Sequence, residues 1–166
     1  KDISVVVPIY FEEENIFPLY ERIIGVVSAE MNLDYEIIFV NDGSKDDSVQ
    51  NIKQLIEQDQ NIRLLNFSRN FGHQVAVTAG LEHTEGEVVV IIDADLQDPP
   101  ELIRDMYEKY KQGYDVVYAK RKSRAGESFF KKKTAKLFYR VLDFMSDVDI
   151  PLDTGDYRLM SRRVVE

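Results

Sequence analysis

Short apolar runs recur along this chain, and each ends abruptly in polar residues. Ile3–Ile9 (ISVVVPI), Tyr35–Val40, Ile62–Phe67, Val88–Ile92 and Tyr114–Ala119 are rich in β-branched and aromatic residues and read as strands. The fourth, VVVII, has no polar alternation and so predicts burial on both faces. Between the strands, apolar residues return at helical spacing. Ile16, Leu19, Ile23, Val26 and Val27 form one stripe, with Glu12–Glu14 as acids for its first turn; Val49, Ile52, Leu55 and Ile56 form another, with Ser44 and Asp47 at its start. A third helix is expected over 73–82. A fourth carries Leu102, Ile103, Met106 and Tyr110, with Asp98 as N-cap, proline in the first turn and Gly113 at its end. Five such alternations predict an α/β fold with a mostly parallel sheet flanked by helices on both faces.

The regularity breaks after Lys120. Residues 121–127 (RKSRAGE) read as a basic loop, and Phe129–Met145 as an amphipathic helix. Phe130, Leu137, Phe138, Val141, Leu142, Phe144 and Met145 share one face, and Lys132, Lys133, Lys136 and Arg140 the other. Such a helix either lies in a membrane interface or packs on its own domain's edge. The segment 121–146 is thus expected to face a membrane. Residues 150–160 (IPLDTGDYRLM) look irregular and acidic, a loop folding back over the cleft.

Composition narrows the function. At 166 residues and 44% hydrophobic, the chain suits one domain with a real core, here taken as 1–166. It has no cysteine, which removes disulfides, thiolate metal sites and cysteine nucleophiles. His73 and His83 lack paired ligand spacing and read as structural or polar contacts. The net charge is −9, yet Lys120–Arg140 holds nine Lys/Arg and one acid, Glu127. An acidic body with one basic band is not a nucleic-acid binder's profile; it suits a local anionic partner, a phosphate or a membrane surface. No apolar run is long enough to span a bilayer and no signal peptide is visible. The chain starts without methionine and stops at Val164-Val165-Glu166 where a helix begins, so a fragment of a longer, membrane-anchored protein is expected, itself soluble.

The chemistry gathers where the strands end. Strand four opens into Asp93-Ala94-Asp95, strand one gives Tyr10 and Glu12, strand two Asp42, and strand five Arg121. In a parallel sheet these ends share one rim, where ligands bind. Two carboxylates one residue apart, with the Gln97 amide oxygen following, suit Mg²⁺ or Mn²⁺. Acids alone would repel an anionic substrate, whereas a nucleoside diphosphate with a bridging cation satisfies both. Neither G-x-x-x-x-G-K-[ST] nor G-x-G-x-x-G is present, so the usual phosphate cradles are missing.

The runs VVVPIYFEEENI, IIFVNDGSKDDS, SRNFGHQVAVTAGL, VVVIIDADLQDPPELI and DTGDYRLMSRRVV, in this order, resemble the family-2 inverting glycosyltransferases. Within them the chain is most similar to the polyprenyl-phosphate sugar transferases, bactoprenol glucosyltransferases and dolichyl-phosphate mannose synthases. The resemblance covers nearly the whole chain and implies a GT-A type, Rossmann-like sheet. It implies that Pro8, Tyr10, Glu12, Val40 and Asp42 hold the nucleoside of a nucleotide-sugar donor, with Asp93 and Ala94 at its ribose, sugar and diphosphate. It implies Asp95 and Gln97 as metal ligands, Arg121 at the phosphates and Asp156 as catalytic base. Phe11 stands where the family commonly has asparagine, and Asn41 where it commonly has aspartate. Members carry C-terminal transmembrane helices, which this chain lacks.

The implied reaction is a single inverting displacement by a polyprenyl phosphate on the anomeric carbon, at the cytoplasmic face of the cell membrane. Negative charge builds on the departing diphosphate, where a cation offsets it. Arg121, Arg124 and Lys131–Lys133 would offset repulsion between the two anions. Asp156 would orient the acceptor or complete its deprotonation; its alternative is a structural acid paired with Arg158 or Arg162. Competing readings are a polysaccharide or protein acceptor, an aspartyl phosphohydrolase and a non-catalytic nucleotide-binding module. The sugar, the choice of UDP over GDP and a homo-oligomeric state are not legible.

Overall fold

The computed structural model describes residues 1–120 and 154–166. The expectations for Arg121, Arg124, Lys131–Lys133 and the segment 121–146 lie outside the described residues. Lys1–Tyr118 and Asp156–Glu166 form one compact body; Ala119–Gly155 form a second unit, described only at its ends.

Among the described residues six strands appear: β1 (Ile3–Ile9), β2 (Tyr35–Asn41), β3 (Ile62–Asn66), β4 (Val88–Ile91), β5 (Val116–Lys120) and β6 (Thr154–Ser161). The helices are α1 (Ile16–Ile24), α2 (Ser48–Gln58), α3 (His73–Glu82) and α4 (Leu102–Lys111), with a last turn at Arg162–Val165. The sheet order is β3-β2-β1-β4-β6-β5. β1 runs parallel to β2 and β4, and β2 to β3, so the expected mostly parallel α/β sheet is what forms.

The strands form because their side chains can be buried on both faces. Val6, Ile38, Val40, Val89, Ile91 and Met160 pack with Ala76 and Val77 of α3. Their neighbours Val5, Val7, Ile37, Phe39 and Val90 point the other way and are equally buried. That leaves α1, α2 and α4, each with a buried apolar stripe, to cover the second face. Gly80 lets α3 come close: a Cβ there would sit 2.4 Å from Val6 Cγ1.

Four expectations need correction. Residues 154–161 are not a loop over the cleft but strand β6, antiparallel to β4, with Val88 opposite Ser161 and Ile91 opposite Arg158. Tyr157 and Leu159 turn into the core, an alternation short enough to pass for irregular sequence. Asp98 does not cap α4. Asp98 and Pro99 each precede a proline and so avoid helical geometry; the chain makes a turn (Leu102 N–H to Pro99 O, 3.1 Å; Ile103 N–H to Pro100 O, 2.9 Å) before α4 begins.

Ser44 does not start α2, which begins at Ser48. Ser44 Oγ instead accepts the Phe11 amide at 3.0 Å, and Ser48 Oγ the Glu12 amide at 3.1 Å. Glu13 returns a bond, its carboxylate accepting the Asp47 amide at 2.7 Å. Those acids therefore tie the β1 loop to the β2 loop rather than entering α1, which starts only at Ile16. α1 then widens into a π-helical stretch, Gly25–Glu30.

Candidate active site

A cavity of about 280 Å³ opens at the carboxyl ends of β1, β2 and β4. Its lining includes Pro8, Tyr10, Glu12, Asp42, Asp93, Ala94 and Asp95, seven of the residues expected there from sequence. It also includes Asn70 and Ala76, not expected there, and His73, expected only as a structural or polar contact. Besides the ends of strands one, two and four, the turn after β3, SRNFGH, supplies Asn70 and His73. Counting that third strand end would have found them.

Each group is held by its own loop. Tyr10 and Phe11 stand at the mouth, each 50% exposed, ring on ring at 4.6 Å and 76°. Phe11 adopts a left-handed backbone (φ 58°), uncommon outside glycine and asparagine. The Glu12 carboxylate accepts from the Asn15 side-chain Nδ2 at 2.6 Å. Asp42, only 3% exposed, spends both oxygens on backbone: Oδ1 accepts Phe71 N–H at 2.7 Å and Oδ2 accepts Gly72 N–H at 2.9 Å. Its carboxylate thus fixes the loop that delivers His73. Val40 is fully buried in the core against α3 and lies outside the lining.

Asp93, just beyond β4, and Asp156 of β6 meet at His73, which lines this cavity. Carried two residues beyond Ile91–Arg158, the β4–β6 register sets Asp93 opposite Asp156. His73 Nε2 stands between them, 2.8 Å from Asp156 Oδ2 and 3.9 Å from Asp93 Oδ1. A carboxylate only accepts, so the shorter contact places a proton on Nε2. Burial pushes the Asp93 carboxyl above its ordinary value; His73 opposes this, while Asp156, Asp95 and Asp98 add to it. Asp156 does not pair with Arg162, whose guanidinium donates to Gly86 O and Thr84 Oγ1. Arg158, on the same face of β6 as Asp156, has a buried Nε with no hydrogen-bond partner.

Asp95 Oδ1 accepts the Gln97 amide at 3.0 Å, a turn helped by the left-handed Leu96 (φ 59°). Gln97 itself is exposed and outside the cavity lining. The donor set suits a hard divalent cation: acid oxygens with no soft ligand, where burial first and neighbouring acids second already disfavour ionised Asp93. Among the described residues no three acids or histidines converge as a ready metal cage. A cation here would have to draw further ligands from a bound diphosphate or water, as Mg²⁺ commonly does.

The backbone behind the acids is anchored from both sides. Tyr157, next to Asp156, is fully buried and its hydroxyl donates to Pro99 O at 2.9 Å; burial, chiefly, lifts its phenol far above the usual range. Glu101 forms a two-pronged ion pair with Arg22 (2.9 and 2.6 Å), tying the loop after Asp95 to α1.

The comparisons decide the family. The model of glycosyl transferase family 2 matches residues 4–166. The chain belongs to glycosyltransferase family 2. It is 53% identical over 163 residues to the uncharacterized glycosyltransferase YkcC of Bacillus subtilis (strain 168), covering 98% of this chain and 50% of that protein. It is 44% identical over 164 residues to the bactoprenol glucosyl transferase of Shigella phage SfX, covering 99% of this chain and 53% of that one. The family-2 chain therefore spans about half the length of these curated relatives. In fold it is similar to the mannosyltransferase PcManGT of Pyrobaculum calidifontis, solved with GDP-Man and Mn²⁺ (TM-score 0.67, 22% identity, 98% of this chain and 45% of that one). No helix among the described residues is long and apolar enough to cross a membrane.

Proposed function

We propose that this chain is the catalytic half of an inverting, metal-dependent hexosyltransferase that uses a nucleotide-sugar, UDP-linked, and a polyprenyl phosphate acceptor. The observation that carries the reading is that Asp93 and Asp95 line one cavity with His73, which in turn reaches Asp156 at 2.8 Å. Such a rim is stable beside a substrate only if the substrate brings a cation with it. The name of the Shigella phage relative supports bactoprenol as the kind of acceptor.

Tyr10 and Glu12 at the mouth receive the nucleoside, with Pro8 forming the floor. Asp93 and the Ala94 backbone face the sugar and diphosphate. Asp95, with Gln97 from the same turn, would hold Mg²⁺ or Mn²⁺. When bound, that cation neutralises charge on the departing diphosphate. Asp156 orients the acceptor phosphate, which is mostly ionised near neutral pH (second pKa about 6), so its demand for a strong base is small. Arg121 and the basic segment 121–146 would meet the phosphates and an anionic membrane surface, placing the reaction at the cytoplasmic face.

The test is transfer of radiolabelled glucose from UDP-glucose to polyprenyl phosphate in vesicles, with Mn²⁺, by the full-length protein. A lipid-linked product is expected, formed far more slowly with Asp156→Asn. Sugar transfer only to a polysaccharide or protein would overturn the acceptor. Tight UDP binding without transfer to any acceptor would favour a non-catalytic module.

A further inference from the structure

We propose that His73 is a positioning residue for transfer: it holds Asp156 in the orientation that meets the acceptor. This rests on the role of Asp156 proposed above.

Three observations carry the assignment. First, Asp93, two residues past β4, and Asp156 of β6 both approach one imidazole. Carboxylates so placed repel, and each would swing away from the other without a donor between them. His73 Nε2 fills that place, at 2.8 Å from Asp156 and 3.9 Å from Asp93. Second, His73 lines the same cavity as Asp93, so the bridge lies on the substrate side. Third, the histidine is itself fixed. It is the first residue of α3, and the two amides before it, Phe71 and Gly72, are bound by the buried Asp42 carboxylate. A line of contacts thus runs from β2 through the α3 start to β6. Its end point is the Asp156 carboxylate, 2.8 Å from His73 Nε2. A misplacement of about 1 Å can cost about a hundredfold in rate, so this restraint reaches catalysis without His73 touching substrate.

The experiment compares His73→Leu, His73→Gln, Asp156→Asn and the His73→Leu/Asp156→Asn double variant of the full-length protein. For each, kcat, KM for polyprenyl phosphate, UDP affinity with Mn²⁺ by calorimetry, and the thermal midpoint are measured. His73→Leu should lower kcat about tenfold to a hundredfold, with UDP affinity within about twofold of wild type. His73→Gln keeps an N–H near the Nε2 position and should recover most of the loss. The double variant should be no slower than Asp156→Asn alone, since residues acting as a unit are non-additive. Wild-type kcat in His73→Leu beside a slowed Asp156→Asn would overturn the role of His73 and leave that of Asp156 standing. Equal losses in Leu and Gln variants, with lowered thermal midpoints, would make His73 merely structural and also overturn it. Near-normal turnover by Asp156→Asn would instead remove the reading on which the proposal rests.

Discussion

Asp42 binds the Gly72 amide at 2.9 Å and the Phe71 amide at 2.7 Å, and so joins the end of β2 to the start of α3. Gly72 (φ 102°) turns the chain there into the helix. The residue expected to read a nucleoside therefore builds the cavity wall, whatever else it contacts. Asp42→Asn puts an amide N–H against one of two backbone donors. Leaving such a buried group unsatisfied costs about 1–3 kcal/mol. The thermal midpoint should fall even without nucleotide; an unchanged midpoint with weakened UDP binding would assign Asp42 to the ligand alone.

Gly80 marks where α3 touches the sheet most closely. Gly80→Ala drives a methyl to within 2.4 Å of Val6 Cγ1. Overpacking costs about 1–3 kcal/mol, against about 1 kcal/mol gained in helix propensity. The net effect should be a modest loss of stability in urea unfolding. Val6→Ala, destabilising alone, should be tolerated better in the Gly80→Ala background; simple additivity would count against a clash.

The Arg22–Glu101 pair makes a pH-dependent contribution. Arg22 holds the Glu101 carboxyl below its ordinary value, chiefly by hydrogen bonding. A group depressed in the folded state stabilises above its unfolded pKa, about 4.3, and loses that contribution as pH falls through the folded value. Both side chains are substantially exposed, so the pair contributes at most about 1 kcal/mol. Glu101→Gln should be slightly less stable than wild type at pH 7, and the gap should close near pH 3. A gap that persists in acid would point to packing instead.

Much of this was legible in the sequence, for local reasons. Apolar runs such as VVVII and the Ile16, Leu19 and Ile23 stripe of α1 encode burial within a few residues, so five strands and the four long helices lie close to their expected places. The cavity's acids were visible because strand ends must converge in a parallel sheet. What stayed hidden depends on distant partners. β6 forms by pairing with a strand about seventy residues earlier, and Gly155-Asp156 near its start read as a loop. His73 looks isolated in sequence because its partner is 83 residues away. Val40 illustrates the reverse: a position implied by resemblance, whose side chain belongs to the core.

The central claim is that the rim of Asp93 and Asp95 is completed by a cation carrying an activated sugar. Calorimetric titration of UDP into the protein, with and without Mn²⁺, tests it most directly. Binding should strengthen at least about tenfold with Mn²⁺, and that gain should vanish in Asp95→Asn while the thermal midpoint without ligand is kept. UDP affinity that is indifferent to Mn²⁺, or a gain that survives Asp95→Asn, would contradict the account.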